Sequence, residues 1–90
     1  QRRVTRVKVT AEKIDLIHEE PGRKVRRAEI PTAFARVRLE QPERAPSELQ
    51  IAYQSQAWVI GRFLTPGERK SLKSALETAI HRARNERYSV

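Results

Sequence analysis

The sequence predicts a single α+β domain in which six antiparallel strands precede one C-terminal helix. Three observations lead to this fold class. The chain has only 90 residues, which suits one domain rather than two. Its first two thirds contain short segments in which apolar and polar residues alternate, and its last third repeats apolar residues with helical spacing.

The first three predicted strands carry apolar residues on one face and charged residues on the other. In the first, Val7 and Val9 share a face while Arg6 and Lys8 lie opposite. The third is rich in Arg and Lys, so we expect an exposed strand near a sheet edge. The predicted ranges are 4–9, 13–18 and 24–30, with a Pro-Gly turn before the third.

The next three predicted strands alternate in the same way and cover 34–40, 48–53 and 57–64. In the fourth, Val37 and Leu39 are expected inward and Phe34 outward. Gln54-Ser55 has the length of a tight hairpin turn. In the sixth strand, Trp58 is expected to point inward.

The helix carries the strongest local signals. Thr65 is a favourable N-cap, Glu68 completes a capping box, and Pro66 occupies the first helical position. An apolar stripe then follows at spacings of three and four residues, which predicts a helix docked on the sheet. Its members are Leu72, Ala75, Leu76, Ala79, Ile80 and Ala83.

Short, hairpin-like connections between the strands favour an antiparallel meander. A bent six-stranded sheet or partial barrel, closed by the amphipathic helix, would bury the apolar faces of both. That is the architecture of pleckstrin-homology-like domains.

The residues offer no recognisable catalytic, cofactor or metal site. There is no cysteine, and the only histidines, His18 and His81, fall on different elements, whereas a metal site needs three or four ligands. The serines lack a nucleophile motif, and the three glycines form no phosphate loop. We therefore expect a non-enzymatic binding or scaffolding module without a cofactor.

The charge is strongly positive. Nineteen Lys and Arg against eleven Asp and Glu give a net charge of +8, which favours nucleic acid, an anionic lipid surface or an acidic protein as partner. A solvated, aggregation-resistant strand is the competing interpretation of the basic run at 23–27. The candidate membrane-binding or partner-binding residues are Arg2, Arg3, Arg6, Lys8, Arg23, Lys24, Arg26 and Arg27.

Nucleic-acid binding is the alternative function. The isoelectric point near 10.8 supports it. An aromatic residue, Phe34, next to Arg36 and Arg38 could stack on a base of a single strand. No helix-turn-helix or ribonucleoprotein motif accompanies these residues, and the basic residues are spread over several elements, so this alternative ranks second.

Two segments of the sequence carry a family resemblance. The first along the chain is Ala35-Arg36-Val37-Arg38-Leu39-Glu40, and the second is Ile60-Gly61-Arg62-Phe63-Leu64-Thr65-Pro66-Gly67-Glu68-Arg69. In this order they resemble the bacterial inner-membrane proteins of domain-of-unknown-function family 2244. The resemblance covers most of residues 4–84. Where a polar Ser-His-Gly type of turn is expected, this chain has Tyr53-Gln54-Ser55.

The resemblance implies that two transmembrane helices precede a strand-rich soluble domain. Residues 1–90 would then be one soluble domain of a longer protein, in agreement with the absence of a methionine at position 1. Basic residues that directly follow a membrane helix mark the cytoplasmic side, which suits Arg2 and Arg3. The implied partner is the anionic inner-membrane surface or another membrane protein, with respiratory-chain assembly as one setting that the family suggests.

Overall fold

The computed structural model describes residues 3–87, which form six strands and one long helix. A single 3₁₀ turn joins the two halves of the strand region at Thr32–Phe34. The strands are β1 (Val4–Val9), β2 (Lys13–Glu19), β3 (Arg26–Pro31), β4 (Arg36–Glu40), β5 (Glu48–Tyr53) and β6 (Gln56–Ile60), and the helix is α1 (Pro66–Arg87).

The six strands form two three-stranded antiparallel sheets, ordered β1-β2-β3 and β4-β5-β6. The prediction of one continuous six-stranded sheet is therefore wrong, although the α+β class and the antiparallel pairing are confirmed. The break lies at the 3₁₀ turn, where buried Thr32 is tied back to the β1–β2 connection. Its hydroxyl donates to Thr10 O at 2.8 Å, and its backbone N–H donates to Glu12 O at 3.2 Å. This directs the chain away from β3, so that β4 begins a new sheet. The likeness to pleckstrin-homology-like domains stays a prediction.

Half of the predicted strand boundaries coincide with the structure, three differ by one residue, and three differ by two or more. β3 begins at Arg26 rather than at residue 24, and Val25 before it is 59% exposed. β4 begins at Arg36, because Phe34 belongs to the 3₁₀ turn, where it is exposed as expected. β6 ends at Ile60, so Leu64 lies in the turn that leads to the helix rather than in the strand.

One hydrophobic core joins both sheets and the helix. Fully burying a side chain of the Leu or Ile kind contributes about 1.5–3 kcal/mol, so this shared cluster is the main force that holds the sheets together. Along the predicted helical stripe Leu76, Ile80 and Ala83 are buried, whereas Ala75 is exposed. The core cluster consists of Ile14, Leu16, Ile30, Ala35, Leu49, Ile51, Ile60, Leu76 and Ile80.

The helix begins with the predicted capping box. Glu68 N donates to Thr65 Oγ1 at 3.2 Å, and Thr65 N donates to Glu68 Oε1 at 2.9 Å. The backbone N–H of Thr65, which donates to the carboxylate, and after it the Thr65 side chain lower the pKa of the Glu68 carboxyl below its ordinary value. The start of α1 is therefore fixed by local chemistry that the sequence displays directly.

A buried arginine fixes the loop between β6 and α1. Arg69 is only 6% exposed, and its guanidinium donates to Gly61 O at 3.3 Å, Arg62 O at 3.2 Å and Ser47 Oγ at 3.1 Å. The loop therefore takes its shape from backbone carbonyls gathered around one cation. Gly61 makes this possible with a φ of 66°, a conformation that side chains disfavour.

Replacing Gly61 by alanine should destabilise the protein, while the same replacement at Gly67, the next glycine along the chain, should not. In Gly61→Ala the new Cβ would lie 2.8 Å from Leu64 Cδ1 and the backbone would stay left-handed. We expect a loss of about 1–2 kcal/mol in the free energy of unfolding, measured by urea denaturation.

Gly67→Ala is the matched control. Gly67 lies in the first turn of α1, and an added Cβ there meets no atom within 4 Å. This variant should be unchanged or gain about 0.4–1 kcal/mol, because alanine reduces the freedom of the unfolded chain. Equal stability of the two variants would contradict the role assigned to Gly61.

Candidate anion-binding cleft

An open cleft separates one end of the β1-β2-β3 sheet from β6. The inner face of that sheet carries the cross-strand row Thr5–His18–Arg26 at this end, one row beyond the buried Leu16. The other wall is the stretch 57–63. The cavity has a volume of about 830 Å³ and is open to solvent. Because of the arginines that line it, described next, we call it the basic cleft.

Positive charge dominates the basic cleft. Five arginines and one carboxylate, Glu20, line it, so it carries a net charge of +4 with His18 neutral. Low-dielectric walls beside such a cluster concentrate its field and attract anions. The arginines are Arg3, Arg23, Arg26, Arg27 and Arg62.

His18 lies in the cleft between a hydroxyl and a carboxylate. Its Nε2 is 2.7 Å from Glu20 Oε1, and its Nδ1 is 2.8 Å from Thr5 Oγ1. Because an ionised carboxylate only accepts, Nε2 donates to Glu20, and a neutral ring then accepts from the Thr5 hydroxyl at Nδ1. Both ring nitrogens therefore have hydrogen-bond partners within the protein.

Glu20 is the counterion of the cluster. Its side chain is only 19% exposed, and its carboxylate oxygens lie 3.7 Å from Arg23 Nε and 3.7 Å from Arg26 Nη2. The hydrogen bond from His18, together with the nearby positive charge of Arg3 and Arg23, lowers the pKa of Glu20 below its ordinary value. The carboxylate therefore stays ionised among the arginines.

The structure divides the predicted basic residues between two faces. Arg3, Arg23 and Arg26 converge on the basic cleft. Arg6 lies on the opposite face of the sheet, in a cross-strand row with Ile17 and Arg27.

The remaining predicted residues contribute less to the cleft. Arg27 reaches the rim of the cleft, but its Nε lies 3.9 Å from Asp15 on the other face. Lys8 lies in the next row of that face, opposite Asp15, and Lys24 is exposed in the turn before β3. Arg2 lies outside the described residues.

Sequence reasoning missed three residues that line the cleft. Arg62 and Phe63 follow β6 directly, and no local pattern indicates that the end of β6 approaches β3. Trp58 was expected inward, and it is half-buried and packs against the core cluster while also lining the cleft. A tertiary contact, rather than a motif, brings these residues to the arginines.

A second cavity adjoins the basic cleft and is mainly apolar. It has a volume of about 910 Å³ and lies between β1, the β6–α1 loop and the first turns of α1. Thr5, Ile60, Gly61 and Phe63 line both cavities. We call this second cavity the apolar groove; its apolar lining is Val7, Ile60, Phe63, Leu64, Leu72 and Leu76.

Two arginines of the helix are engaged in structural hydrogen bonds instead of lining either cavity. Arg69 holds the β6–α1 loop, as described above. Arg84 donates from Nε to Thr32 O at 3.0 Å and from Nη2 to Ala35 O at 2.7 Å. Charge alone therefore does not distinguish the arginines available to a ligand from those that bind the protein's own backbone.

The described residues contain no cluster of the kind that holds a metal ion. Within residues 3–87, no three side chains of His, Cys, Asp or Glu come together in such a group. The chemistry that the basic cleft offers is the recognition of an anion by guanidinium groups, which bind phosphate and carboxylate with two parallel hydrogen bonds.

The hydrogen bond between His18 and Glu20 predicts a specific dependence of stability on pH. A carboxylate with a lowered pKa in the folded state stabilises that state above its ordinary pKa, and this contribution disappears as the pH falls through the lowered value. The free energy of unfolding of wild type should therefore exceed that of Glu20→Gln at about pH 6, and this difference should disappear as the pH is lowered to about 3, since the ordinary pKa of the carboxyl is 4.5.

Urea denaturation of both proteins at a series of pH values would measure this difference. In a His18→Asn background, which lacks the histidine hydrogen bond to Glu20, the effect of Glu20→Gln on the free energy of unfolding should depend less on pH. A constant difference between wild type and Glu20→Gln across the whole range would mean that the carboxylate is not paired in solution.

Comparison with known proteins gives one match. Residues 1–80 match the family described as "Integral membrane protein (DUF2244)". Neither the curated proteins nor the solved structures contain a match. In the part of the chain that the structure describes, no helix combines the length and apolarity needed to cross a membrane. The family match covers most of the chain, as the resemblance of its loop and strand segments predicted, and the chain therefore belongs to the DUF2244 family of integral membrane proteins.

Proposed function

We propose that this chain is a non-enzymatic domain that lies against the cytoplasmic face of the bacterial inner membrane and binds its anionic lipids. The observation that carries the proposal is the gathering of Arg3, Arg23, Arg26 and Arg62 at one opening of the fold. Membership of a family of integral membrane proteins supports the location at a membrane.

The direction of the chain supports the orientation. β1 begins with Val4, opposite the last residue of β2, and Arg26 begins β3 opposite His18. The start of β1 and the arginine cluster therefore lie at the same end of the sheet. A membrane-spanning segment before residue 1, as the family resemblance implies, would bring this end to the bilayer surface.

The expected energy suits a tethered domain. Each basic residue near an anionic leaflet contributes about 1 kcal/mol, and this attraction falls off over a Debye length, which added salt shortens. Three or four arginines would orient a domain that a covalent tether already keeps near the surface. Tight binding by a free domain is not required.

Sedimentation with phosphatidylglycerol vesicles tests the proposal. The double variant Arg23→Gln/Arg26→Gln removes two exposed charges of the cluster. We expect roughly 30-fold weaker association, which corresponds to about 1 kcal/mol for each arginine. Raising the salt concentration should likewise weaken the association of wild type with the vesicles.

Lys70→Gln/Arg82→Gln is the charge-matched control. Both residues are exposed on α1 and line neither cavity. Association of this variant should stay close to wild type. If both double variants lose binding equally, net charge rather than the cluster is responsible, and the proposed orientation is wrong.

A titration with fluorescent single-stranded RNA, at one low and one high salt concentration, tests the rival function. Phe34 is 69% exposed, which would allow it to stack on a base. Tight RNA binding without vesicle association would overturn the membrane proposal and make Phe34 the first residue to replace.

A further inference from the structure

We infer that the basic cleft and the apolar groove together form a binding site for one anionic lipid molecule, with the phosphate at the arginines and the acyl chain in the groove. This inference deepens the proposed function, on which it rests for the source of the lipid. It adds a defined binding site to an attraction that would otherwise be spread over a surface.

The polarity of the two cavities suits an amphiphile. The basic cleft carries a net charge of +4, with His18 counted as neutral, while the apolar groove is lined mostly by carbon. The two cavities meet at Thr5, Ile60, Gly61 and Phe63, so a ligand that fills one can extend into the other. A molecule with an anionic head and an apolar chain complements both cavities.

The residues at the junction favour entry from a membrane. Phe63 is 54% exposed, although it lies on the wall between the cavities. Aromatic side chains are favoured at the boundary between lipid and water. Arg62 precedes it on the cleft side, so one turn of chain presents both an apolar and a cationic group.

The polar groups of the apolar groove are largely satisfied within the protein. Glu68 lines the groove, but its Oε1 accepts the hydrogen bond from Thr65 N. Ser71, on the second turn of α1, is exposed at the groove wall. A larger apolar residue at this position would fill the groove without touching the arginines.

The test uses Trp58, the only tryptophan, as a reporter inside the basic cleft. Lysophosphatidylglycerol brominated at the acyl carbons nearest its glycerol, and therefore nearest the basic cleft that Trp58 lines, should quench Trp58 fluorescence in a saturable way when kept below its critical micelle concentration. Ser71→Phe should weaken this binding about tenfold or more, since each buried methylene contributes about 0.8 kcal/mol and displacing two is sufficient.

Ser74→Phe is the matched control, because Ser74 is exposed on the same helix and lines neither cavity. It should bind like wild type, and urea midpoints verify that both variants fold. Equal quenching in the two variants, or no quenching below the micelle concentration, would overturn the inference. Equal binding of brominated lysophosphatidylcholine would overturn the role of the arginines.

Vesicle sedimentation of the same proteins separates this inference from the proposed function. Salt-sensitive vesicle binding without quenching by the monomeric lipid would leave the membrane proposal intact and remove the lipid site. Quenching by the monomer without vesicle binding would establish the site and remove the membrane proposal.

Discussion

The described structure depends on side-chain packing between two sheets that share no backbone pairing. Within residues 3–87, β3 and β4 belong to separate ladders, so no hydrogen-bonded ladder crosses from one half to the other. Ile14 and Ile30 from one sheet, Leu49 and Ile51 from the other, and the buried side of α1 supply the connection. Both sheets depend on this cluster, because the apolar face of a sheet has to be buried against another element.

The same constraint explains where the cavities lie. The core fills the space between the sheets around Ile14, Ile30 and Ile51, but the row Thr5–His18–Arg26 lies beyond it. No pairing among the described strands joins the two sheets, and beyond the core the arginines and His18 line the gap between them. An open end of this kind places polar residues beside the core without burying them, which is why charged groups can occupy it at low cost.

The local elements could be predicted from the sequence, because their signals lie within a few residues. The alternation in β1, the two-residue turn Gln54-Ser55 and the capping box of Thr65 all agree with the structure. The separation into two sheets could not be predicted, since it depends on Thr32 binding the carbonyl of Thr10, 22 residues earlier.

The candidate site was only partly predictable for the same reason. Arg23 and Arg26 stand out as a basic run, but whether they act with Arg6 or with Arg62 depends on which face each strand turns inward. Arg69 illustrates the opposite case, because an arginine in the first turn of an amphipathic helix gives no sign in the sequence that it is buried against backbone carbonyls.

The position of Glu20 has a consequence for selectivity. An anion that binds Arg23 and Arg26 competes with a carboxylate that His18 already holds beside both arginines. Glu20 is thus an intramolecular competitor at an effective concentration set by its tether. A small anion that binds only the arginines has to compete with this carboxylate unaided. A phosphate group whose acyl chain is held in the apolar groove would also be kept at a high local concentration, so selectivity would come from the whole amphiphile rather than from its charge alone.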